Sequence, residues 1–378
     1  MAKHLVLVGG GHAHMTALLR LGEITGRGHL VTLISSSAHH FYSGMGPGML
    51  SGIYESRQVR FNIRKMAEER GGAFIEDNAV RIDPVRQLII LASGQEVNFD
   101  IASFNTGSQV PLEPLAAPSD GIFTVKPLIN LYRARRKILD EIARRELQIA
   151  VIGGGPAGVE IAANLWRLVG RQPHRADILL VGGNRILGKF PEKVRAIALD
   201  SLQKRGIGVM EGTRAQTAAD GTIMLTNGTT LRCDFVFIAV GVKPTSLFDD
   251  SGLPTGEDGG LLVNSFLQST AHSELFGGGD CISFSGNPLA KVGVYAVRQN
   301  PVLFHNLLAA LEGGALQPFR HGGEYMLIMN MGDGTGIAWK KERVWDGRLA
   351  FLLKDFIDRR FMRRFQVSGE RNEPNGEV

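Results

Sequence analysis

Two glycine-rich segments carry the clearest chemical signal in the 378-residue sequence, GGGHAH at residues 9–14 and GGGPAG at residues 153–158. In a G-x-G-x-x-G turn between a strand and a helix, the first glycine permits the tight turn. The second lets the backbone approach a pyrophosphate, the third lets the helix pack on the strand, and the helix N-terminus supplies N–H groups for the anion. The sequence therefore predicts two dinucleotide sites, with cofactor-binding residues Gly9, Gly11, His12, Ala13, Gly153, Gly155, Pro156 and Gly158.

The two segments differ at the third glycine position. The second segment has Gly158 there, whereas the first has His14. We interpret His14 as a packed or hydrogen-bonded histidine rather than a catalytic one. His12 begins the helix that follows and is the better candidate for contact with a pyrophosphate.

Neither unit has the acidic residue that commonly holds a ribose hydroxyl at the end of the next strand. The first unit has Ser35 and Ser36 there, which can hydrogen-bond an adenosine ribose. The second unit has two glycines, followed by Asn184 and Arg185. An arginine without a carboxylate accommodates a 2′-phosphate, which favours NADPH over NADH. The alternative is that Arg185 is an ordinary solvated turn residue.

A third segment, LFGGGDC at residues 275–281, places Asp280 after glycines at the end of a predicted strand. A predicted helix begins shortly afterwards, near Lys291. An acid at this position can bind a ribityl hydroxyl, and the helix N-terminus can stabilise negative charge on a reduced flavin. Together with the two glycine turns, this segment predicts that the first site holds FAD.

The elements around these segments form an internal repeat. Strand, turn, helix and strand follow one another from His4 to Ile34, and the same order recurs from Gln148 to Val181. Such a repeat is typical of tandem dinucleotide-binding domains with parallel sheets. The predicted fold class is α/β, with two tandem Rossmann-like domains for FAD and NAD(P) and a small α+β C-terminal region.

The division into domains rests on a linker and a returning helix. Residues 111–118 are rich in Pro and Ala and are predicted to be a linker, and a helix is predicted over residues 292–313. If that helix packs on the first unit, the first domain is discontinuous. The predicted domains are then 1–112 with 245–314 for FAD, 113–244 for NAD(P), and 315–378 for a C-terminal domain with three short strands and a basic terminal helix.

The basic character of the chain is concentrated near its end. Residues 340–364 contain nine Lys or Arg against four Asp or Glu, while the whole chain has a formal net charge of +5. The final helix mixes Phe356, Ile357 and Phe361 with arginines, so it is predicted either to lie on an anionic membrane surface or to dock on protein. Because no RNA- or DNA-binding motif accompanies it, we predict no nucleic-acid partner.

Cysteine usage and hydropathy indicate the compartment. The chain has two cysteines, neither in a metal-ligand spacing, so no metal site is predicted. It has no secretory leader and no apolar run of about 18 residues, the length needed to span a bilayer. We therefore expect a cytoplasmic protein, or one bound peripherally to the inner face of the membrane.

Over nearly its whole length the chain resembles the pyridine nucleotide-disulfide oxidoreductase superfamily. The matching features occur in the order GGGHAH, Thr106-Gly107, GGGPAGVE, AVGVKP and GGGDC. Within this superfamily the chain is similar to the type II NADH dehydrogenase and sulfide:quinone oxidoreductase branch. It looks most like the flavoprotein module fused ahead of selenide, water dikinase, which residues 41–50, 291–301 and 354–365 match.

The resemblance implies specific cofactor contacts. It places FAD on Gly9, Gly11, Ser35, Thr106, Asp280 and Lys291, and a nicotinamide nucleotide on Gly153, Gly155, Gly158 and Glu160. Further contacts are expected at Gly107, Gly241, Gly279, Gly293 and Val294. Glu160 is expected beside the nicotinamide as a catalytic residue, unless it is an ordinary polar residue of the helix. Tyr42 and Lys126 are expected on the flavin side, where a structural role is the alternative.

One departure from the superfamily limits the chemistry. Disulfide reductases carry a cysteine pair beside the flavin, but residues 42–47 read YSGMGP here. We therefore predict an FAD-dependent NAD(P)H:acceptor oxidoreductase without a redox-active disulfide, which passes electrons to a quinone-like, chalcogen or protein acceptor. The alternative is a low-turnover flavin-binding redox sensor or partner module for an enzyme of selenium or sulfur metabolism.

Overall fold

The structure is a computed structural model that describes residues 1–112, 115, 119–286 and 288–376. Its helices are α1 (Met15–Leu19), α2 (Leu21–Thr25), α3 (Gly46–Ser51), α4 (Ile63–Glu68), α5 (Ile129–Ile142), α6 (Pro156–Val169), α7 (Glu192–Gln203), α8 (Leu247–Asp250), α9 (Gly293–Glu312) and α10 (Arg348–Phe365). Its strands are β1 (His4–Val8), β2 (Leu30–Ser35), β3 (His39–Phe41), β4 (Arg60–Asn62), β5 (Ala73–Glu76), β6 (Ala79–Asp83), β7 (Leu88–Leu91), β8 (Glu96–Asn98), β9 (Ile101–Phe104), β10 (Ile122–Thr124), β11 (Leu147–Ile152), β12 (Ala176–Val181), β13 (Gly208–Met210), β14 (Ala215–Ala219), β15 (Thr222–Leu225), β16 (Thr230–Arg232), β17 (Phe235–Ile238), β18 (Leu261–Val263), β19 (Leu275–Gly277), β20 (Ile282–Phe284), β21 (Leu327–Asn330), β22 (Gly336–Lys340) and β23 (Arg343–Gly347).

Two parallel sheets carry the two glycine turns. Within the described residues their strand orders are β19-β9-β1-β2-β5 and β10-β17-β11-β12-β13. The glycine turns follow β1 and β11, the third strand in each order. Nearly continuous apolar runs such as LVLV and IAVI are buried there, as expected for parallel strands covered on both faces. The predicted α/β fold with two Rossmann-type sheets is confirmed.

The chain returns to the first sheet after it has built the second. Strand β19 pairs with β9, and α9 packs on the first unit. In that packing, Thr16 Oγ1 donates to Asn300 Oδ1 at 2.6 Å, and Asn300 Nδ2 donates to the His12 carbonyl at 3.3 Å. The domain boundaries drawn from the sequence stay a prediction. Most of the predicted linker, residues 113, 114 and 116–118, lies outside the described residues.

The helix after the first glycine turn is interrupted, so the prediction of one continuous helix is wrong. A turn of 3-10 helix (His12–His14) leads into α1, and Arg20 then separates α1 from α2 with φ −106° and ψ 18°. The break lies beside α9, where the Arg20 guanidinium is 4.4 Å from the centre of the Phe304 ring. In the second unit the corresponding helix, α6, is continuous.

The C-terminal region consists of the antiparallel strands β21, β22 and β23 with α10 packed on them, as predicted. This region docks on α6 through a buried amide pair, in which Asn164 Nδ2 donates to the Asn330 carbonyl at 3.0 Å. Among the described residues, no helix combines the length and the apolar character needed to cross a membrane.

Candidate active site

The first glycine turn is packed tightly against the end of β9. Gly9 has φ +85°, and a Cβ atom there would lie 2.4 Å from the Asn105 carbonyl oxygen. A Cβ atom on Gly11 would lie 2.3 Å from Asn105 Oδ1. Both positions therefore exclude any side chain while Asn105 keeps its place.

His14 fills the position where the third glycine is usually found. It is fully buried, with Nδ1 2.6 Å from the Gly9 carbonyl and Nε2 2.8 Å from Ser103 Oγ. Burial lowers the pKa of His14 to about 4, so the ring is neutral near pH 7. The prediction of a packed or hydrogen-bonded histidine is confirmed.

Asn105 connects this turn to the GGGDC segment. Its Oδ1 accepts the Ala13 N–H at 2.8 Å, and its Nδ2 donates to the Gly278 carbonyl at 2.6 Å. The Ala13 N–H therefore has a protein partner, and the predicted cofactor contact at Ala13 stays a prediction. Sequence reasoning missed Asn105, whose only signal was its place directly before Thr106-Gly107.

Among the residues that the structure describes, two polar atoms beside the first turn have no hydrogen-bond partner. His12 is 8% exposed, and its Nε2 is buried without a hydrogen-bond partner, as is Thr106 Oγ1. Burial and the Lys126 ammonium lower the pKa of His12 to about 4. A neutral His12 carries one N–H, and its Nδ1 lies 3.3 Å from His40 Nε2. If His40 donates to Nδ1, the His12 proton resides on Nε2. Two buried groups without partners fit a cofactor rich in acceptor oxygens, such as FAD.

Asp280 and Lys126 meet between the two sheets. Lys126 Nζ lies 2.6 Å from Asp280 Oδ2, and Ser108 Oγ donates to the same oxygen at 2.8 Å. Lys126 follows β10 of the second sheet, whereas Asp280 follows β19 of the first. The ion pair therefore ties the two sheets together beside the predicted flavin position.

The other residues predicted to contact FAD differ in their partners and in their exposure to solvent. Lys291 Nζ is paired with Asp258 at 2.8 Å and donates to the Ile282 carbonyl, and the predicted FAD contact at Lys291 stays a prediction. Gly293 and Val294 lie in the first turn of α9, which begins without a side-chain cap, and Gly279 directly precedes Asp280. Ser35 ends β2 half-buried, and Ser36 is exposed.

The second glycine turn has open space at its second glycine, Gly155, whereas the Asn105 side chain occupies the equivalent space beside Gly11. A Cβ atom on Gly153 would lie 2.4 Å from the Ala239 carbonyl oxygen, and one on Gly158 would lie 1.8 Å from the Gly153 carbonyl oxygen. A Cβ atom on Gly155, however, would meet no other atom within 4 Å. Helix α6 begins there without a side-chain cap, and Pro156 occupies its first turn. A helix N-terminus without a side-chain cap and with open space beside Gly155 fits a pyrophosphate.

The strand end beside this turn shows why an acidic residue is absent. A Cβ atom on Gly182 would lie 2.2 Å from Ile186 Cγ1, and Ile186 is fully buried. Arg185 Nη2 is paired with Glu192 at 2.6 Å, and the Asn184 carbonyl accepts the Gly212 N–H. Gly241, with φ +43°, lies beyond β17 with open space around it.

Glu160 lies between the second glycine turn and the C-terminal region. Its Oε1 accepts the Asn330 N–H at 2.7 Å. Burial raises the pKa of Glu160 to about 7, although the Lys354 ammonium and the Asn330 N–H oppose this shift. A carboxyl group that titrates near pH 7 can exchange protons at that pH.

Lys354 and Asp358 of α10 extend this cluster towards Tyr42. Lys354 Nζ donates to Asp358 Oδ2 at 2.7 Å and to the Gly44 carbonyl at 2.6 Å, while the Tyr42 hydroxyl donates to Asp358 Oδ1 at 3.0 Å. Burial opposes the charge of Lys354, but Asp358 and Glu160 raise its pKa. Burial and Asp358 raise the pKa of Tyr42 well above its ordinary value. Sequence reasoning missed Lys354 and Asp358, whose signal was their i, i+4 spacing.

Phe361 of α10 faces the first glycine unit, so this side chain docks on the body of the protein, one of the two predicted alternatives. Its ring centre lies 4.8 Å from that of Tyr42 and 5.9 Å from that of His12. The other side of α10 borders a groove of about 630 Å³. The groove is lined by apolar side chains and by charged side chains of both signs, which include Met45, Leu352, Phe356, Met362, Arg57, Arg363, Glu55 and Asp355.

Most of the predicted site residues therefore fall into two groups. The first surrounds the first glycine turn, where His12, Tyr42 and Lys126 lie near one another. The second comprises the second glycine turn and Glu160, which lies near the N-terminal end of α6. Their assignment to particular cofactor atoms stays a prediction.

Comparisons with known proteins identify relatives that cover most of the chain. The family model described as pyridine nucleotide-disulphide oxidoreductase matches residues 3–305. Ferroptosis suppressor protein 1 of Xenopus tropicalis is 26% identical over 347 residues, covering 88% of this chain and 87% of its own. Demethylphylloquinone reductase NdbB of Synechocystis sp. is 26% identical over 333 residues, covering 84% and 82%.

A solved structure shares the fold over the full length. NDH2 from Plasmodium falciparum in complex with NADH superposes with a TM-score of 0.80 and 14% sequence identity, covering 100% of both chains. At that identity the likeness concerns the fold alone.

Proposed function

Because the chain belongs to the pyridine nucleotide-disulphide oxidoreductase family, we propose that it transfers electrons from NAD(P)H through FAD to a quinone that binds beside α10. The dependence on FAD and NAD(P)H follows from the family, and the acceptor is the proposed part. One observation carries it: α10 places Asp358 and Phe361 against Tyr42 on one side and borders the 630 Å³ groove on the other. A relative that reduces demethylphylloquinone supports this choice of acceptor.

The chain's own residues divide the work of holding the two nucleotides. Gly9, Gly11, His12, Thr106 and Asp280 would hold FAD, and Gly153, Gly155 and Gly158 would hold the pyrophosphate of NAD(P)H. When bound, FAD supplies two-electron chemistry between donor and acceptor. Hydride transfer depends mainly on alignment, which the Lys126–Asp280 ion pair supports by joining the two sheets.

Quinone reduction also consumes protons, and the cluster under α10 is suited to deliver them. Glu160 titrates near pH 7, and Lys354 and Asp358 lie between it and Tyr42. The Tyr42 hydroxyl remains protonated because its pKa is raised, so it serves as a hydrogen-bond donor. We assign Glu160 as the proton-exchanging residue, with Asp358 orienting Tyr42.

The test begins with anaerobic mixing of the holoenzyme with NADPH or NADH, followed by a short-chain quinone. Loss of the visible flavin absorbance with a donor and its return with the quinone is the expected result. Absence of bleaching with either donor would instead support the low-turnover partner module. Bleaching without reoxidation by quinone would reject the proposed acceptor but leave the dehydrogenase half intact.

The groove is tested with two variants of the same helix. Phe356 is 55% exposed and lines the groove, whereas Leu349 is 78% exposed and is not among the groove-lining residues. Phe356→Ser is expected to raise KM for a water-soluble quinone about tenfold. The substitution removes the apolar contact between the phenyl group and the quinone ring that binding would bury. Leu349→Ser should leave that KM unchanged. Equal effects of the two substitutions would show that the quinone does not use the groove.

We also propose that α10 touches the membrane surface. Leu349, Leu352, Leu353, Phe356 and Ile357 are exposed at i, i+3, i+4, i+7 and i+8, which places them on one face of the helix. Neighbouring arginines favour anionic lipid. Co-sedimentation with vesicles of phosphatidylglycerol should exceed that with phosphatidylcholine, and Leu349→Ser with Leu353→Ser should abolish it. The predicted selenium-metabolism partner and the cytoplasmic location stay predictions.

A further inference from the structure

The edge of the second sheet beyond the glycine turn contains a cation that sequence reasoning did not identify. Gly183 follows β12 and forms an isolated bridge with Thr213. A Cβ atom on Gly183 would lie 3.7 Å from Arg214 Cγ and 3.9 Å from Arg214 Nε. The Arg214 side chain therefore lies over the strand end where the adenosine ribose of a dinucleotide is usually held.

Three arginines lie at this edge, and among the described residues Arg214 is the one of the three without a carboxylate partner. Arg185 is paired with Glu192 at 2.6 Å, and Arg195 is paired with Glu211 at 2.6 Å. Within the described part of the chain, no carboxylate lies within ion-pair distance of Arg214, which is exposed. A phosphate that arrives here would displace no existing ion pair of Arg214.

The packing of the strand end also excludes the group that would repel such a phosphate. Gly182 cannot carry a side chain unless the buried Ile186 moves, because the two would overlap. Gly154 is held against the same strand end, since a Cβ atom there would lie 2.4 Å from the Gly182 carbonyl oxygen, and its own carbonyl accepts the Leu187 N–H at 2.7 Å. A ribose acid at Gly182 is therefore incompatible with this arrangement.

We propose that Arg214 binds the 2′-phosphate of NADPH and makes the enzyme selective for NADPH over NADH. The inference rests on the proposed use of the second glycine turn for a nicotinamide nucleotide. It replaces Arg185, which the sequence suggested for this role, by a residue 29 positions later that the strand pairing brings to the same edge. A guanidinium suits this task because its planar set of donors matches phosphate oxygens.

The test measures binding of two fragments to the holoenzyme by calorimetry, adenosine 2′,5′-bisphosphate and adenosine 5′-monophosphate. The wild type should bind the bisphosphate about tenfold to a hundredfold more tightly, as expected for charge-assisted hydrogen bonds. Arg214→Ala should remove most of this difference and leave binding of the monophosphate unchanged. Arg214→Lys should restore part of it, since the charge remains but the forked geometry is lost.

Arg185→Ala is the matched control, because Arg185 is also exposed at this edge but has a carboxylate partner. It should change the ratio of the two affinities by less than about twofold. A larger loss in Arg185→Ala than in Arg214→Ala would overturn the assignment to Arg214. Equal affinity of the wild type for both fragments would overturn NADPH selectivity, whereas failure to bind either fragment would count against the nucleotide site itself.

Discussion

The first and second glycine turns follow equivalent strands of equivalent sheets, yet they are stabilised in different ways. In the first, the buried side chains of His14 and Asn105 hydrogen-bond to the turn from inside. In the second, the corresponding third position is Gly158, where helix and strand backbones touch directly. The first turn therefore depends on polar side chains, and the second depends on the absence of side chains.

Because of this difference, the two turns leave different groups available to bind a ligand. At the first turn the Ala13 N–H already has a protein partner, so the groups left for a cofactor are side chains, His12 and Thr106. At the second turn, Gly155 faces open space at an uncapped helix N-terminus. The first turn therefore presents side chains to a cofactor, whereas the second presents its backbone.

The largest effect on stability is expected for a substitution at Gly158. Gly158→Ala places a Cβ atom 1.8 Å from the Gly153 carbonyl oxygen, so helix α6 must move away from β11. We expect a loss of about 3 kcal/mol or more in the free energy of unfolding, together with loss of nicotinamide nucleotide binding. Urea denaturation and calorimetric titration measure the two effects.

Gly155→Ala is the matched control for that substitution. Its Cβ atom meets no protein atom and its φ of −83° suits alanine, so stability should be unchanged. Nucleotide binding should still weaken about tenfold or more, because the methyl group occupies the approach of the pyrophosphate. Equal loss of stability in both variants would contradict the idea that Gly155 serves the ligand alone.

At the first turn the sensitive residue is His14. His14→Ala leaves a cavity and deprives the Gly9 carbonyl and Ser103 Oγ of their partners. A loss of about 2 to 3 kcal/mol in unfolding free energy is expected. His14→Gly, which recreates the glycine of the second turn, should be no better, because the first helix is already placed for an imidazole. Restored stability in His14→Gly would show that the two turns are interchangeable.

Titratable groups at the two sites should also change the free energy of unfolding in opposite directions as the pH falls. The folded-state pKa values of His12 and His14 are lowered to about 4, so these histidines destabilise the fold as pH falls from 6.5 towards 4. The folded-state pKa of Glu160 is raised to about 7, so its contribution is present below about pH 4.5 and is lost as pH rises through 7. Glu160→Gln should therefore steepen the loss of stability on acidification, and His14→Ala should reduce it.

Urea midpoints measured from pH 4.5 to 7.5 check this prediction in the wild type and both variants. The slopes of unfolding free energy against pH should rank Glu160→Gln above the wild type and the wild type above His14→Ala. Identical slopes in all three proteins would mean that these groups titrate as they do in the unfolded chain.

A smaller loss of stability than at His14 is expected at Asn105. Asn105→Ala removes the acceptor for the Ala13 N–H and the donor to the Gly278 carbonyl. Because the freed Ala13 N–H can then be satisfied by the cofactor pyrophosphate, the net loss in the holoenzyme should be about 1 kcal/mol. Thermal unfolding with and without added FAD measures it. A larger loss in the presence of FAD than in its absence would contradict this explanation.

The sequence predicted the parts of the site that depend on local pattern. The glycine turns, their strands and the C-terminal sheet and helix were found because apolar periodicity and glycine spacing encode them within short segments. The satisfied state of His14 was also foreseen, since a bulky polar residue at a packed position must find partners nearby. The break at Arg20 was missed, because contact with α9 is not visible in local sequence.

By itself the sequence determined two dinucleotide folds in tandem, the family, and the dependence on FAD and NAD(P)H. Only the tertiary structure decided which side chains share a site: Glu160 with Lys354, Tyr42 with Asp358, and Lys126 with Asp280. These pairs are separated by more than 150 residues. A turn is specified by its own residues, whereas an ion pair between distant segments forms only where packing of helices and sheets brings its partners together and removes water from around them.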